Sequence, residues 1–231
     1  MHPDPDHWRV IVTGGSSGLG AAVADRLGAL GATPVVLDRC PPPAGHAHEV
    51  VDLADSKDAE EVVRRVAESR GGLDAVVTCA GIDVPGALGD VPTDTWERIV
   101  AVNLLGTASV VRAALPYLER SGGRIVTVAS TLGHRALGDA TAYCASKFGV
   151  VGFTRALTVE LAGRVGVTLL TPGGMHTAFF DDRDERYRPG PDARLCQPGH
   201  VAAAVVFALS QPEGCEVKEL VVASPTETSW P

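Results

Sequence analysis

The sequence predicts an α/β domain built on a doubly wound, seven-stranded parallel sheet with helices on both faces. Three observations predict it. Short apolar runs alternate with longer stretches of helical periodicity along nearly the whole chain, the pattern of strand–helix–strand crossovers. The runs are continuously apolar, as in Val10-Ile11-Val12 and Val35-Val36-Leu37, which fits strands buried on both faces. The first run passes directly into Thr13-Gly14-Gly15-Ser16-Ser17-Gly18-Leu19-Gly20 and then into a helical pattern. Strand, small-residue turn and helix together make a dinucleotide site, because the backbone approaches a pyrophosphate and the helix start supplies N–H donors.

The elements follow in order. Strands are expected at residues 9–13, 34–38, 49–52, 75–79, 123–130, 167–171 and 219–223. Helices begin near Gly18, Asp55, Thr93, Ala140 and Pro198. Thr93, followed three residues later by Trp96-Glu97, reads as a capped start. Pro41-Pro42-Pro43 is a rigid turn after the second strand and divides nothing. Residues 1–231 show no repeat and no linker, so one domain is expected. Right-handed crossovers place the ligand cleft at the strand C-termini, where Gly14, Ser130, Tyr143 and Pro172 gather.

Composition narrows the function. A chain of 231 residues with 45% hydrophobic content can bury a large core. A net charge of −8 with no basic run argues against a nucleic-acid partner. No uninterrupted apolar stretch approaches the roughly 18 residues of a membrane span, so no membrane partner is expected. Residues 1–7 are polar and rich in Pro and His, without an apolar signal region. Five cysteines at irregular spacing form no disulfide or zinc pattern. No metal is expected, and a reducing cytoplasm is the expected location.

Two local features carry chemistry. Tyr143 and Lys147 stand four apart in a helical stretch, on one face. An ammonium roughly 4 Å from a phenol attracts its anion by about 4 kcal/mol near a surface. Lys147 is therefore expected to lower the Tyr143 pKa into the range of proton transfer. Asp38 ends the second strand, where a carboxylate accepts hydrogen bonds from an adenosine ribose and repels a 2′-phosphate. Arg39 beside it would instead grip a phosphate. NAD is favoured over NADP.

The loop spacing T-G-x-x-x-G-x-G, with Y-x-x-x-K downstream, resembles the short-chain dehydrogenase/reductase family over about residues 8–224. Asn103, Ser130 (thirteen residues before Tyr143), Pro172-Gly173 and Thr177 match further family motifs in order. The resemblance implies a Rossmann-like fold and catalytic roles for Ser130, Tyr143, Lys147 and Asn103. It implies cofactor contacts from Gly14, Ser16, Ser17, Gly18, Leu19 and Gly20 in the first loop, and from Asp38, Arg39, Asp52, Leu53, Ala80 and Gly81. Tyr143, Lys147, Pro172, Gly173 and Thr177 complete that set. Asn103 resembles the residue that positions a water linking Lys147 to solvent. Ser17 stands where members using NADP often carry a basic residue.

The implied activity is NAD(P)-dependent interconversion of a secondary alcohol and a ketone, with a small carbonyl or alcohol substrate. A nucleotide-sensing protein and a sugar-nucleotide epimerase or dehydratase are the alternatives. The resemblance also implies a homodimer or homotetramer, packed through helices at about residues 92–117 and 140–161. Residues 178–197 would form a substrate lid, whose charged run at 181–188 reads as solvated and mobile. His134, Arg135, Asp83, Met175 and His176 are candidates to face the substrate. The C-terminal residues 225–231 would pack on a neighbour or hang free. Cys79 departs from the family, replacing Asn in Asn-Ala-Gly, and reads as a small buried hydrophobe.

Overall fold

A computed structural model describes residues 7–43 and 45–230; residues 1–6, Ala44 and Pro231 lie outside the described residues, as does most of the polar N-terminal segment. Seven strands, β1 (Arg9–Thr13), β2 (Thr33–Asp38), β3 (Ala47–Val50), β4 (Ala75–Thr78), β5 (Arg124–Val128), β6 (Gly166–Pro172) and β7 (Glu219–Val222), form one sheet in the order β3-β2-β1-β4-β5-β6-β7. Every neighbouring pair is parallel. Strand order reverses between β1 and β4, and this opens a crevice at their C-terminal ends.

Helices α1 (Gly18–Ala29) and α6 (Pro198–Leu209) pack together on one face of the sheet. Helices α2 (Ser56–Ser69), α4 (Thr107–Ser121) and α5 (Thr141–Glu160) cover the other. The continuously apolar strands explain the two cores. Val10, Val12, Val77 and Val126 point to α1 and α6, while Ile11, Val76, Ile125 and Val167 point to α2, α4 and α5. Burying each such side chain contributes about 1.5–3 kcal/mol.

Most strand ends shift by one or two residues, β5 for example stopping at Val128 and not at residue 130, and two departures have a clear physical reason. β3 begins two residues before its expected start and stops before Asp52, because it is an edge strand paired only with β2 and largely exposed. Its side chains, Ala47-His48-Glu49-Val50, carry little hydrophobic signal. Thr93 does not cap its helix: Pro92 holds the cap position without a side-chain bond, and Thr93 is already helical. Asp55 does cap α2, accepting from the Lys57 and Asp58 N–H groups.

From Thr93 the chain stays helical to Ser121, through α3 (Thr93–Val100), a π-helical turn at Ala101–Gly106 and α4. This helix is long and apolar enough by composition to cross a membrane, yet 56% of its most apolar window is buried inside the fold. It is a core helix packed against α2 and α5.

Candidate active site

The glycine loop bends where no other residue fits. Gly14 has φ +68, and a Cβ there would stand 2.7 Å from the Ala80 Cα. A Cβ at Gly20 would stand 2.2 Å from the Gly14 carbonyl oxygen. Thr13 Oγ1 accepts from the Ala80 N–H at 3.1 Å, tying β1 to the Cys79-Ala80-Gly81 turn. Ser17 precedes α1 in extended backbone and makes no capping bond, so no side chain takes the first-turn N–H groups. Those donors and the helix dipole suit an anionic group.

Asp38 knits the rim of this crevice. Its Oδ2 accepts from Ser16 N at 3.0 Å, and its Oδ1 accepts from Arg39 N at 2.6 Å and Cys40 N at 3.3 Å. The Ser16 hydroxyl donates to the Cys40 carbonyl. A carboxylate offers roughly four acceptor sites, so capacity for a ribose hydroxyl remains. Asp52 accepts two bonds, from Ala54 N to its Oδ1 at 3.0 Å and from Arg98 to its Oδ2 at 2.8 Å.

A cleft of about 1040 Å³ joins this rim to the chemistry-bearing residues. Gly14, Ser17, Gly18, Leu19 and Gly20 line it with Asp38, Arg39, Asp52, Leu53, Ala80 and Gly81. Ser130, Tyr143, Lys147, Pro172, Gly173 and Thr177 line its other end. Ser16 and Asn103 are the predicted site residues that do not line it; each is hydrogen-bonded to a residue that does.

Asn103 sits fully buried in the π turn. Its Oδ1 accepts from Ile82 N at 2.8 Å, while its Nδ2 donates to Ile82 O at 2.9 Å and to Ser146 Oγ at 3.0 Å. Ser146 in turn donates to the Tyr143 carbonyl at 2.8 Å. The amide thus clamps the loop after β4 to α5 beneath Tyr143. Its side chain is committed to this clamp.

Ser130 lies two residues beyond β5, and its Oγ accepts from Leu132 N at 3.1 Å. Tyr143 is packed beside Phe179, ring centroids 5.8 Å apart. Burial pushes the phenol up to about 12; the Ser130 hydroxyl opposes this, Asp83 adds to it and Arg183 opposes it. Lys147 is 3% exposed, and its Nζ donates to the Val128 carbonyl at 2.9 Å. Burial lowers the ammonium to about 8, against the Cys79 thiol.

The expected acidification of Tyr143 by Lys147 is therefore absent here. The spacing puts both on one helix face, with Nζ 5.7 Å from the Tyr143 ring centroid. The ammonium turns to the β5 carbonyl, however, and desolvation dominates both groups. Cys79 behaves as expected of a hydrophobe: it packs in the core and burial lifts its thiol to about 12.

Residues 178–197 run along the cleft, with Ala178, Phe179, Phe180, Arg183 and Leu195 among its lining, while most of the segment remains exposed. Thr177 caps a short 3-10 turn at Ala178–Phe180, accepting from Phe179 N at 3.4 Å. Arg183 pairs with Asp83 at 2.8 Å, Tyr187 donates to Asp139 at 2.9 Å, and Met175 bridges to Cys196. Most of the charged run stays exposed, as the sequence suggests; Arg183 is the exception, its charge paired with Asp83.

The C-terminal segment also packs on its own domain. Glu227 accepts from Gly174 N at 3.0 Å, Ser229 bonds Thr131 at 2.7 Å, and Arg135 donates to the Thr228 carbonyl at 2.7 Å. His134 contacts Thr171 and the Trp230 ring. His134 and Arg135 therefore hold the tail, His176 is exposed, and Asp83 and Met175 line the cleft. Sequence reading missed Glu227, Ser229, Ser146 and Arg183; no local motif marks them, since each acts through contacts distant in sequence. Among the described residues, no group of three His, Cys, Asp or Glu side chains is placed to hold a metal ion.

Comparisons with known proteins agree on one family. A family model described as short chain dehydrogenase matches residues 9–188. An oxidoreductase of Staphylococcus aureus (strain MRSA252) is 33% identical over 224 residues, spanning 92% of this chain and 95% of its own. An oxidoreductase of Staphylococcus saprophyticus is 31% identical over 227 residues, with the same spans. Ligand-free aldohexose dehydrogenase of Thermoplasma acidophilum is similar in structure, with TM-score 0.85 and 25% identity over 99% of each chain. An alcohol dehydrogenase of Thermococcus sibiricus, solved with 5-hydroxy-NADP, has the same fold at TM-score 0.83 and 24% identity, over 94% of this chain and 96% of its own.

Proposed function

The chain belongs to the short-chain dehydrogenase family and is an oxidoreductase of it; on that premise we propose that it interconverts a secondary alcohol and a ketone with a nicotinamide dinucleotide. The observation that carries this reading is the meeting of Ser130, Tyr143 and Lys147 with the glycine loop in one cleft. The nucleotide fits on features of the chain itself. Gly14 and Gly20 leave room that a Cβ would fill, and the first turn of α1 keeps its N–H groups clear of side chains.

When bound, the nicotinamide supplies or accepts a hydride at the carbinol carbon. The chain's residues manage the proton and the geometry. Tyr143, held protonated by burial, donates its proton to the carbonyl oxygen during reduction; in oxidation its deprotonated phenolate form takes the alcohol proton. Ser130 hydrogen-bonds the same oxygen and fixes its position. Lys147 carries three N–H donors, of which Val128 takes one; the others serve the nicotinamide ribose hydroxyls. Asn103, through Ile82 and Ser146, keeps the floor under Tyr143 rigid.

Asp38 supports NAD over NADP, since a 2′-phosphate beside its carboxylate meets like charge. Arg39 sits on the same rim and tempers that preference. The exposed face of α5 carries Ala145, Phe148, Gly152 and Val159, small and apolar side chains suited to helix packing in a homodimer or homotetramer. Free cysteines, all five among the described residues, support a reducing cytoplasm.

A screen of NADH and NADPH oxidation across a carbonyl panel tests the reading. Turnover of at least one ketone is expected. Tight nucleotide binding with no turnover of any alcohol or ketone would instead make the chain a nucleotide sensor.

A further inference from the structure

Beyond β7 the chain turns back on itself at Pro225. Ser224 Oγ accepts from Thr226 N at 3.3 Å, and the Ser224 carbonyl accepts from Glu227 N at 3.0 Å. The turn brings Glu227 to the loop that leaves β6. Its Oε2 accepts from Gly174 N at 3.0 Å, and a Cβ on Gly173 would stand 2.5 Å from that oxygen. Its Oε1 accepts from Ser229 N at 3.1 Å and from Ser229 Oγ at 2.6 Å. With its one proton given to Glu227, the Ser229 hydroxyl accepts from Thr131 Oγ1, 2.7 Å away.

One chain of bonds therefore runs from Thr131 through Ser229 and Glu227 to Gly174. Its two ends adjoin the two walls of the cleft. Thr131 directly follows Ser130 and opens a 3-10 turn, Thr131–Gly133, that Ser130 caps. That turn rests on α5 at Lys147, whose carbonyl oxygen would lie 2.8 Å from a Cβ on Gly133. Gly174 follows Pro172 and Gly173, and all three line the cleft. Glu227 and Ser229 line it as well. Two contacts brace the chain from outside. Arg135 donates to the Thr228 carbonyl at 2.7 Å, and the Trp230 ring meets that of His134 with centroids 5.3 Å apart.

Core burial does not account for this fastening. Trp230 is the one large apolar side chain of the segment, it is 37% exposed, and it joins none of the core clusters among the described residues. Burial opposes ionisation of Glu227, yet the bonds from Ser229 Oγ, Gly174 N and Ser229 N hold its carboxyl below the usual carboxylate range. Bonds to an ionised acceptor are roughly twice as strong as neutral ones. Resting on the dehydrogenase reading above, we propose that Glu227 is a positioning residue. With Ser229 it ties the loop at Gly174, which that reading sets against the nucleotide, to the turn that carries Ser130, and so fixes the spacing of the two walls across which hydride and proton move. Glu227 itself transfers no proton. A displacement of about 1 Å in such a spacing slows transfer by about 100-fold.

The test measures kcat, KM and the Tm of the nucleotide-free protein in variants of the full chain. Glu227→Leu keeps bulk and cannot accept a bond. Its kcat is expected to fall roughly 10- to 100-fold, with KM for the ketone within about threefold and Tm within about 5 °C of wild type. Glu227→Gln keeps an acceptor for Gly174 N and is expected to recover most of kcat. Ser229→Ala cuts the chain in the middle and is expected to lower kcat about tenfold. The double variant Glu227→Leu with Ser229→Ala should be no slower than Glu227→Leu alone, because one chain is broken only once. An unchanged kcat in Glu227→Leu, even with a lowered Tm, overturns the inference while leaving the dehydrogenase reading intact. So do losses that multiply in the double variant or that Glu227→Gln does not reduce. If Glu227→Leu does not fold, Ser229→Ala decides, and an unchanged kcat there overturns the inference. If the wild type turns over no carbonyl, the dehydrogenase reading fails. Fluorescence titration with NADH then takes the place of kcat. A Kd weakened about tenfold in Glu227→Leu supports the positioning role, and an unchanged Kd overturns it.

Discussion

Replacing Lys147 with Met keeps the length of the side chain and removes its charge, and the effect on stability depends on pH in a defined way. A lysine that ordinarily loses its proton near 10.5 loses it here near 8, because its ammonium is buried with one carbonyl partner. Between those two values the unfolded chain holds a proton that the folded chain has lost. Wild-type stability therefore rises with pH across this window. At about 1.4 kcal/mol per pH unit, the rise is about 3 kcal/mol. Lys147→Met has no such rise. It also leaves the Val128 carbonyl unpaired, a loss of about 1–3 kcal/mol. The variant is expected to match or slightly exceed the wild type at pH 7 and to fall behind by about 2 kcal/mol at pH 10.5. Urea unfolding of both proteins, nucleotide-free, at pH 7, 8, 9 and 10 measures the difference. Other titrating groups, Tyr143 included, largely cancel in it. A difference that stays constant with pH would refute the buried, destabilised ammonium.

Other consequences follow from the same geometry. Because burial keeps Tyr143 protonated up to about 12, ketone reduction should hold nearly constant from pH 6 to 8. Alcohol oxidation should climb towards tenfold per pH unit, and a flat oxidation profile would contradict the phenol's state. Asp38→Asn removes the charge that disfavours a 2′-phosphate, so the ratio of kcat/KM with NADPH to that with NADH should rise roughly tenfold or more; an unchanged ratio would remove Asp38 from cofactor choice. Gly20→Ala drives a Cβ to 2.2 Å from the Gly14 oxygen, and it should lower Tm by roughly 5–10 °C and weaken nucleotide binding, as read by melting and fluorescence titration.

Much of this was legible in the sequence because the deciding physics is local. Short apolar runs bounded by turns read as strands buried on both faces, whereas the longer run 201–209 reads as a helix, and the parallel sheet follows. The glycine loop reads directly, since Gly14 and Gly20 stand where side chains cannot. Other features depend on contacts remote in sequence. The π turn at Ala101–Gly106 leaves no mark beyond Asn103 in an apolar helix. Arg183 looks like one more charge in a polar run until the fold brings Asp83 to it, 100 residues away. Glu227 reaches Gly174 from a tail whose composition reads as solvent-exposed. The Tyr143–Lys147 spacing gives proximity correctly but not the balance of charge and desolvation, because burial is set by Phe179 and the lid.

The central claim is a proton donor at Tyr143 beside a bound nicotinamide. Single-turnover hydride transfer in Tyr143→Phe, measured with nucleotide binding on the same preparation, tests it most directly. Binding within about threefold of wild type, with transfer slowed by about 10³-fold or more, is predicted. Transfer within about tenfold of wild type in that variant would contradict the account.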